Sequence, residues 1–392
     1  MCVRCVQEDY CVDNRGDVGS WVREAAMDAI PDLAAAAQAA GGGETSGTLR
    51  PDRAREIVSA LLKQAAEKID RVRAAAGAAL ASMLRGDEAR ALAPLRGVPA
   101  GEALLAAVPL SPAGAAAWAA PSTAFPALAR LVAAGDELTL GLATYRRPLL
   151  EGFVVSAGGV GDSLGKAAGG ALTAALRDDP ELQRDVFKTL VAILDERAGV
   201  DRVTTPLLRV LDACFSAGCL GAVAPAPPAP PAPLAAALAA KLRAELKGSR
   251  DVAKLCLGVQ ALCHLAGLAR VGAGDGSRDE ATCASTNATL GVLALLVNRY
   301  PRVRRVAAEQ LYVTLLGCEG EDAGAEAAVE LLSATRWDAD LAAVKPARNA
   351  LYPMLGLETP KQALVAAKAK AANREAKDEN DSYAALVGSA GY

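Results

Sequence analysis

Tyr300-Pro301-Arg302-Val303-Arg304-Arg305-Val306-Ala307-Ala308 is the stretch on which the fold turns. Pro301 suits the first position of a helix, because proline presets φ and lacks only an N–H that the first turn leaves unpaired. Val303 anchors that helix in a core, and the small pair Ala307-Ala308 lets a neighbour come close. Arg304, between them, is placed to reach an acid or a carbonyl of the adjoining unit. The same order recurs twice upstream. Asp70-Arg71-Val72-Arg73-Ala74-Ala75-Ala76 reads D-x-V-R-x-A-A, and Asp17 to Ala26 reads D-x-x-x-W-V-R-x-A-A. Here an aspartate replaces proline as the opening residue, where a side-chain oxygen can satisfy free N–H groups.

Outward from these segments the chain keeps a helical period. Val186, Phe187, Leu190, Val191 and Leu194 form one apolar stripe; Leu207, Leu208, Leu211 and Phe215 form another. A third holds Leu255, Val259, Leu262 and Ala266, while Ala288–Val297 is apolar on nearly every side. Spacings of three and four residues bury one face of a helix, and strand alternation is nearly absent. Helices of this size between short breaks, with a recurring V-R-x-A-A element, match the pattern of HEAT repeats, whose period is about 40–47 residues. Arg23 and Arg73 lie near that spacing once the glycine-rich insertion between them is set aside. The expected fold is an all-α, HEAT/armadillo-like helical-repeat solenoid.

Glycine and proline mark the divisions. Residues 1–85 are expected to form helical repeats interrupted by a Gly-rich link at 41–47, and residues 86–124 an irregular linker. Helical repeats follow at 125–220. Residues 221–234 are a Pro/Ala-rich spacer that cannot enter a helix interior; an SH3 or WW ligand is the other reading of its prolines. Residues 235–357 hold the C-terminal repeats, and 358–392 a polar tail rich in Ala, Lys and Glu.

Composition narrows the chemistry. The chain has 392 residues, 52% of them hydrophobic, a single histidine and a net charge of −3. Lone His264 leaves no means of building a two-histidine metal site, and any catalytic triad would have to centre on it. A near-neutral charge argues against a sequence-independent nucleic-acid binder. No 18-residue apolar run is free of charge, Gly or Pro, so no membrane span is expected. Met1–Tyr10 lacks the apolar core of a signal peptide. Nine scattered cysteines fit reduced thiols of a cytoplasmic protein better than a disulfide framework.

Four clusters invite a chemical reading. Cys2, Cys5 and Cys11 have metal-like spacing but no fourth ligand nearby in sequence, and unrelated thiols explain them. Cys256 and Cys263 share a helix face beside His264, yet two helical turns separate them, about 10 Å along the axis. Gly158-Gly159-Val160-Gly161-Asp162-Ser163 superficially resembles a phosphate loop, but no G-K-[ST] follows and no strand precedes. A helix–turn–helix corner accounts for the same residues. Finally, Arg302, Arg304 and Arg305 cluster at a helix start, either as an inter-repeat ion pair with a solvated face or as contacts to an acidic partner. No convergent catalytic set is present.

Several blocks together resemble the C-terminal portion of the tubulin-folding cofactor D family. Glu8-Asp9-Tyr10 and Asp13–Met27 are similar to its E-D-Y…D-x-R-G-D-V-G-x-W-V-R-x-A-A-M segment. Pro121–Pro126, Tyr145-Arg146 and Leu150–Gly159 resemble its P-S-x-x-F-P, Y-R and L-x-G-x-V-x-S-x-G-G elements. Tyr300–Leu316, Leu331–Leu341 and Arg348–Leu351 resemble its closing blocks, including L-S-x-T-x-W-D-A-x-L and R-N-x-L. The blocks run in family order. The resemblance implies a non-enzymatic chaperone scaffold acting after the cytosolic chaperonin. Its implied partners are β-tubulin, which it would join to α-tubulin, cofactors E and C, and an Arf-like small GTPase. With cofactor C the family also stimulates GTP hydrolysis by tubulin. The chain lacks the family's longer N-terminal solenoid and carries its own Gly-, Pro/Ala- and Lys/Ala-rich insertions. No catalytic, metal or cofactor residue is transferred. The alternatives are a GTPase-regulating subunit working through an exposed arginine, with Arg302, Arg304 and Arg305 as candidates, and a general HEAT adaptor.

Overall fold

The computed structural model describes every residue except 15, 41–49, 108–113, 135–141, 160–161, 220–232, 269–279, 318–322 and 360–392. The Gly-rich link, nearly all of the Pro/Ala spacer and most of the polar tail therefore lie outside the described residues. The helices are α1 (Cys2–Glu8), α2 (Gly19–Ala40), α3 (Pro51–Ala65), α4 (Asp70–Arg85), α5 (Gly101–Ala107), α6 (Gly114–Ala119), α7 (Pro121–Ala133), α8 (Arg146–Ala157) and α9 (Asp162–Leu176). They continue as α10 (Pro180–Glu196), α11 (Asp201–Ser216), α12 (Pro233–Leu246), α13 (Val252–Ala266), α14 (Glu280–Leu295), α15 (Pro301–Leu316), α16 (Ala323–Ala334) and α17 (Leu341–Met354). A 3₁₀ turn (Leu142–Tyr145) precedes α8, and two residue pairs, β1 (Val12–Asp13) and β2 (Gly16–Asp17), form a minimal antiparallel hairpin.

Local chemistry sets the helix starts. Pro51, Pro121, Pro180 and Pro301 open α3, α7, α10 and α15. Asp179 accepts from the N–H groups of Glu181 and Leu182 at 3.1 and 2.9 Å, and Asp251 does the same for Ala253 and Lys254 at 2.8 and 3.2 Å. The apolar stripes read from the sequence are buried as the period requires: Val186, Phe187, Leu190, Leu207, Leu208, Leu211, Leu255, Val259 and Leu262 all belong to the core.

The helices stack in two rows. One row runs α1, α3, α8, α11, α13, α15, each packed on the next; the other runs α2, α4, α6, α7, α9, α10, α12, α14. The protein is an all-α helical-repeat solenoid. Its repetition is not uniform. Before α8 the first row holds the opening helices of the hairpins (α1, α3), and after it the closing ones (α11, α13, α15). α8 is thus a joint at which the two rows exchange roles. α16 and α17 close the stack beside α15.

The stretch 86–124, expected as an irregular linker, instead contains α5, α6 and the start of α7. Trp118 at the end of α6 is 1% exposed and packs on α4, where a Cβ added to Gly77 would overlap its indole. Alanine hides this helix from a hydrophobic-period reading, because a run of Ala shows no contrast between buried and solvent faces.

Candidate protein-docking groove

The recurring arginine is a structural clamp. Arg23, Arg73 and Arg304 are 0%, 1% and 3% exposed. Arg304 donates from Nε to Trp337 O (2.7 Å), from Nη1 to Asn298 O (2.8 Å) and from Nη2 to Ala339 O (2.6 Å) and Asp338 O (3.2 Å). Arg73 repeats the arrangement. It donates to Trp118 O (3.2 Å), Ala119 O (2.7 Å), and Glu67 O and Lys68 O (both 2.9 Å). Each reaches back six residues to the turn before its own helix and forward to the backbone of a tryptophan in a later element. Arg23 reaches back six residues as well, to the Asp17 carboxylate at 2.9 Å, and takes Asp9 O at 2.6 Å. A guanidinium with five fixed donors suits this task, since it satisfies several loop carbonyls that a turn leaves unpaired.

The cluster at the start of α15 therefore splits. Arg304 is withdrawn from the candidate partner contacts: its donors face carbonyls of its own chain and it is buried. Arg302 and Arg305 stay exposed. Arg305 pairs with Glu309 at 3.5 Å and lines a cavity of about 460 Å³ between α15, α16 and the turn at 335–338. Arg302 does not line it.

The groove is built from the same W-D turn that Arg304 holds. Trp337 is 5% exposed and donates from Nε1 to Leu332 O at 2.9 Å, which fixes its indole at the base. Ala308, Tyr312, Val313 and Leu332 supply the remaining apolar lining. On the rim Arg305 faces Glu309, and Arg336 lies 3.8 Å from Asp338. Those charges are paired with each other, so the groove offers apolar surface with no net charge of its own. Val313 and, on the following turn, Leu316 are 61% and 58% exposed. Exposed large aliphatic side chains beside a concave apolar floor are what a protein-contact surface presents. Such a site binds by excluding water.

The other sequence candidates are placed elsewhere. Gly158 packs against Pro206 of α11 so closely that a Cβ would overlap the Pro206 backbone, and its carbonyl accepts from Arg209 Nη1 at 2.6 Å. This glycine serves helix packing. Val160 and Gly161 lie outside the described residues. His264 Nε2 sits 3.0 Å from Asp212 Oδ1 with its ring 5.6 Å from Phe215, joining α13 to α11. Burial pushes the Cys214 and Cys263 thiols up to about 12, far from the thiolate form that metals and electrophiles require. Among the described residues no group of three or more His, Cys, Asp or Glu is disposed to hold a metal ion, and no helix is long and apolar enough to cross a membrane.

One ionic centre escaped the sequence reading. Lys254 Nζ lies 2.6 Å from Asp201 Oδ1 and also pairs with Glu245, whose second oxygen accepts from Gly199 N–H at 2.9 Å. Burial raises the Glu245 pKa, but Lys254 and the Gly199 N–H outweigh it, and the carboxyl sits below its ordinary value. No motif announces this site, because its three side chains come from α11, α12 and α13.

The sequence profile described as "Tubulin folding cofactor D C terminal" matches residues 55–254. The chain belongs to that family. The match takes in the Arg73–Trp118 clamp and the α8 joint, and it ends inside α13, ahead of the groove. A role in tubulin folding thus attaches to this member of the cofactor D family, whose helical ribbon carries the α15–α16 groove beyond the matched segment.

Proposed function

We propose that the chain acts as a tubulin-folding cofactor: it binds β-tubulin after release from the chaperonin and assists assembly of the α/β heterodimer as a non-covalent scaffold in the cytoplasm. The family match over 55–254 carries this reading. In such a role the scaffold covers an aggregation-prone interface and stabilises the subunit by mass action. The apolar groove between α15 and α16, with Val313 and Leu316 beside it, is the surface we assign to the contact. Cofactors E and C and an Arf-like small GTPase are the further partners proposed.

The test is capture of β-tubulin on the immobilised chain, beside a Val313→Asp/Leu316→Asp variant. Retention by the parent and at least tenfold weaker retention by the variant is expected. No capture by the parent would remove the tubulin reading, and equal capture would remove the groove from it.

A second reading, stimulation of GTP hydrolysis, is favoured only by the exposure of Arg302 and Arg305. Unchanged tubulin GTP turnover with Arg302→Ala/Arg305→Ala, in the presence of cofactor C, would end it.

A further inference from the structure

Tyr10 lies just after α1, on the first of the repeats. Its hydroxyl accepts a hydrogen bond from Gln64 Nε2 of α3 at 3.0 Å. The Arg23 guanidinium of α2 stands 4.2 Å from the ring centroid, already neutralised by Asp17 at 2.9 Å. A second guanidinium, that of Arg202, stands 3.8 Å from the same centroid. Arg202 is the second residue of α11, which belongs to the other half of the ribbon.

In the row α1, α3, α8, α11, the helix between α3 and α11 is α8. It is fastened to α3 by Lys63–Glu151 at 2.7 Å, and to the residue that caps α3 by Ser156 Oγ donating to Ala66 O at 2.6 Å. It is fastened to α11 through Arg209 and Gly158 at 2.6 Å. The Tyr10–Arg202 contact bypasses α8 and runs directly from the N-terminal hairpins to α11. Tyr10 is anchored to α3 through Gln64, and helices packed side by side are spaced about 8–10 Å apart, so a contact from there to α11 spans α8 and biases the angle at which α3 and α11 meet across it. The α11 end is held firmly: the adjacent Asp201 is bound to Lys254 of α13 at 2.6 Å. A cation–π contact is weak beside helix packing. It biases an angle without holding either half together.

We infer that Tyr10 and Arg202 form an aromatic latch that sets the curvature of the ribbon across α8, and that releasing it lets the two halves open about that helix. The inference needs no partner and is independent of the tubulin reading.

The test is a paramagnetic distance measurement on the whole chain, with nitroxide-bearing unnatural residues at Ala37 in α2 and Lys247 after α12. Both positions are exposed, and the native cysteines stay untouched. Arg202→Ala should lengthen and broaden the distance distribution with no loss of helical circular dichroism. Arg202 is itself exposed, so this variant keeps its core intact. Tyr10→Phe keeps the ring and should retain the parental distribution. A parental distribution in Arg202→Ala overturns the latch. So does an opening in Tyr10→Phe equal to that in Arg202→Ala, which would assign the effect to the hydroxyl and Gln64.

Discussion

Two neighbouring arginines on α15 carry the same charge and opposite duties. Arg304 satisfies four carbonyls from a buried position, whereas Arg305 faces solvent and a single glutamate. Arg304→Ala leaves those four carbonyls without their donor and should destabilise the chain by about 4 kcal/mol or more, at roughly 1 kcal/mol or more per orphaned group. Arg305→Ala should stay within about 0.5 kcal/mol, as exposed positions do. Urea midpoints of the two variants, measured side by side, check the contrast. The recurrence of Val-Arg before paired alanines was legible in the sequence, as was the notion that the arginine reaches a neighbour's carbonyl. The Val-Arg element already singled out Arg304 as the one that reaches a neighbour; that the carbonyls come from Trp337 and the turn after it was not legible, because only packing brings that turn to α15.

Between helices, the Lys254–Glu245–Asp201 cluster ties α13 to α12 and α11. The Lys254 and Glu245 side chains are 3% and 4% exposed, while Asp201 is 63% exposed. Glu245→Gln keeps the volume and removes the buried charge. It should cost about 3 kcal/mol at neutral pH, the low end for breaking a buried pair, because Asp201 still reaches Lys254. The pH dependence has a definite sign. The folded-state pKa of Glu245 lies below its ordinary value, so its contribution is complete above the ordinary carboxylate range. It is lost as pH falls through the depressed folded value. Urea midpoints followed from neutral into acid pH should drop more steeply for the parent than for Glu245→Gln, and the two curves should converge. An equal slope would show that the cluster contributes nothing to acid sensitivity. This cluster was invisible to sequence reasoning because its members sit on three helices, and no spacing rule joins Asp201 to the Glu245–Lys254 pair. α5 and α6 were missed for another reason: alanine has strong helix propensity but too little hydrophobic contrast to reveal a buried face.

For the molecule as a whole, a stack of repeats in which each unit touches mainly its neighbours gains its stability from successive interfaces. The α8 joint is the interface between halves. Gly158→Ala inserts a methyl group against the Pro206 backbone and should destabilise by about 1–3 kcal/mol through overpacking. The damage is confined to one interface, so unfolding should separate into two transitions in calorimetry where the parent shows one. A single transition merely shifted downward would mean that the halves stay coupled through other contacts. The all-α solenoid itself was readable from helical periods and from the Val-Arg element. The groove was not, since its walls come from α15, α16 and the turn after α16, which only packing brings together.

The exchange of rows at α8 also bears on how such a chain can evolve. A hairpin duplicated within either half would slot in with its apolar side inward. The same hairpin transplanted across the midpoint would keep its buried side, as the equal burial of Val72-Arg73 in α4 and Val303-Arg304 in α15 shows, but its closing helix would join the opposite row. Copying across α8 therefore alters which row a given helix enters while leaving the core pattern intact, so the Val-Arg element can be traced through the midpoint.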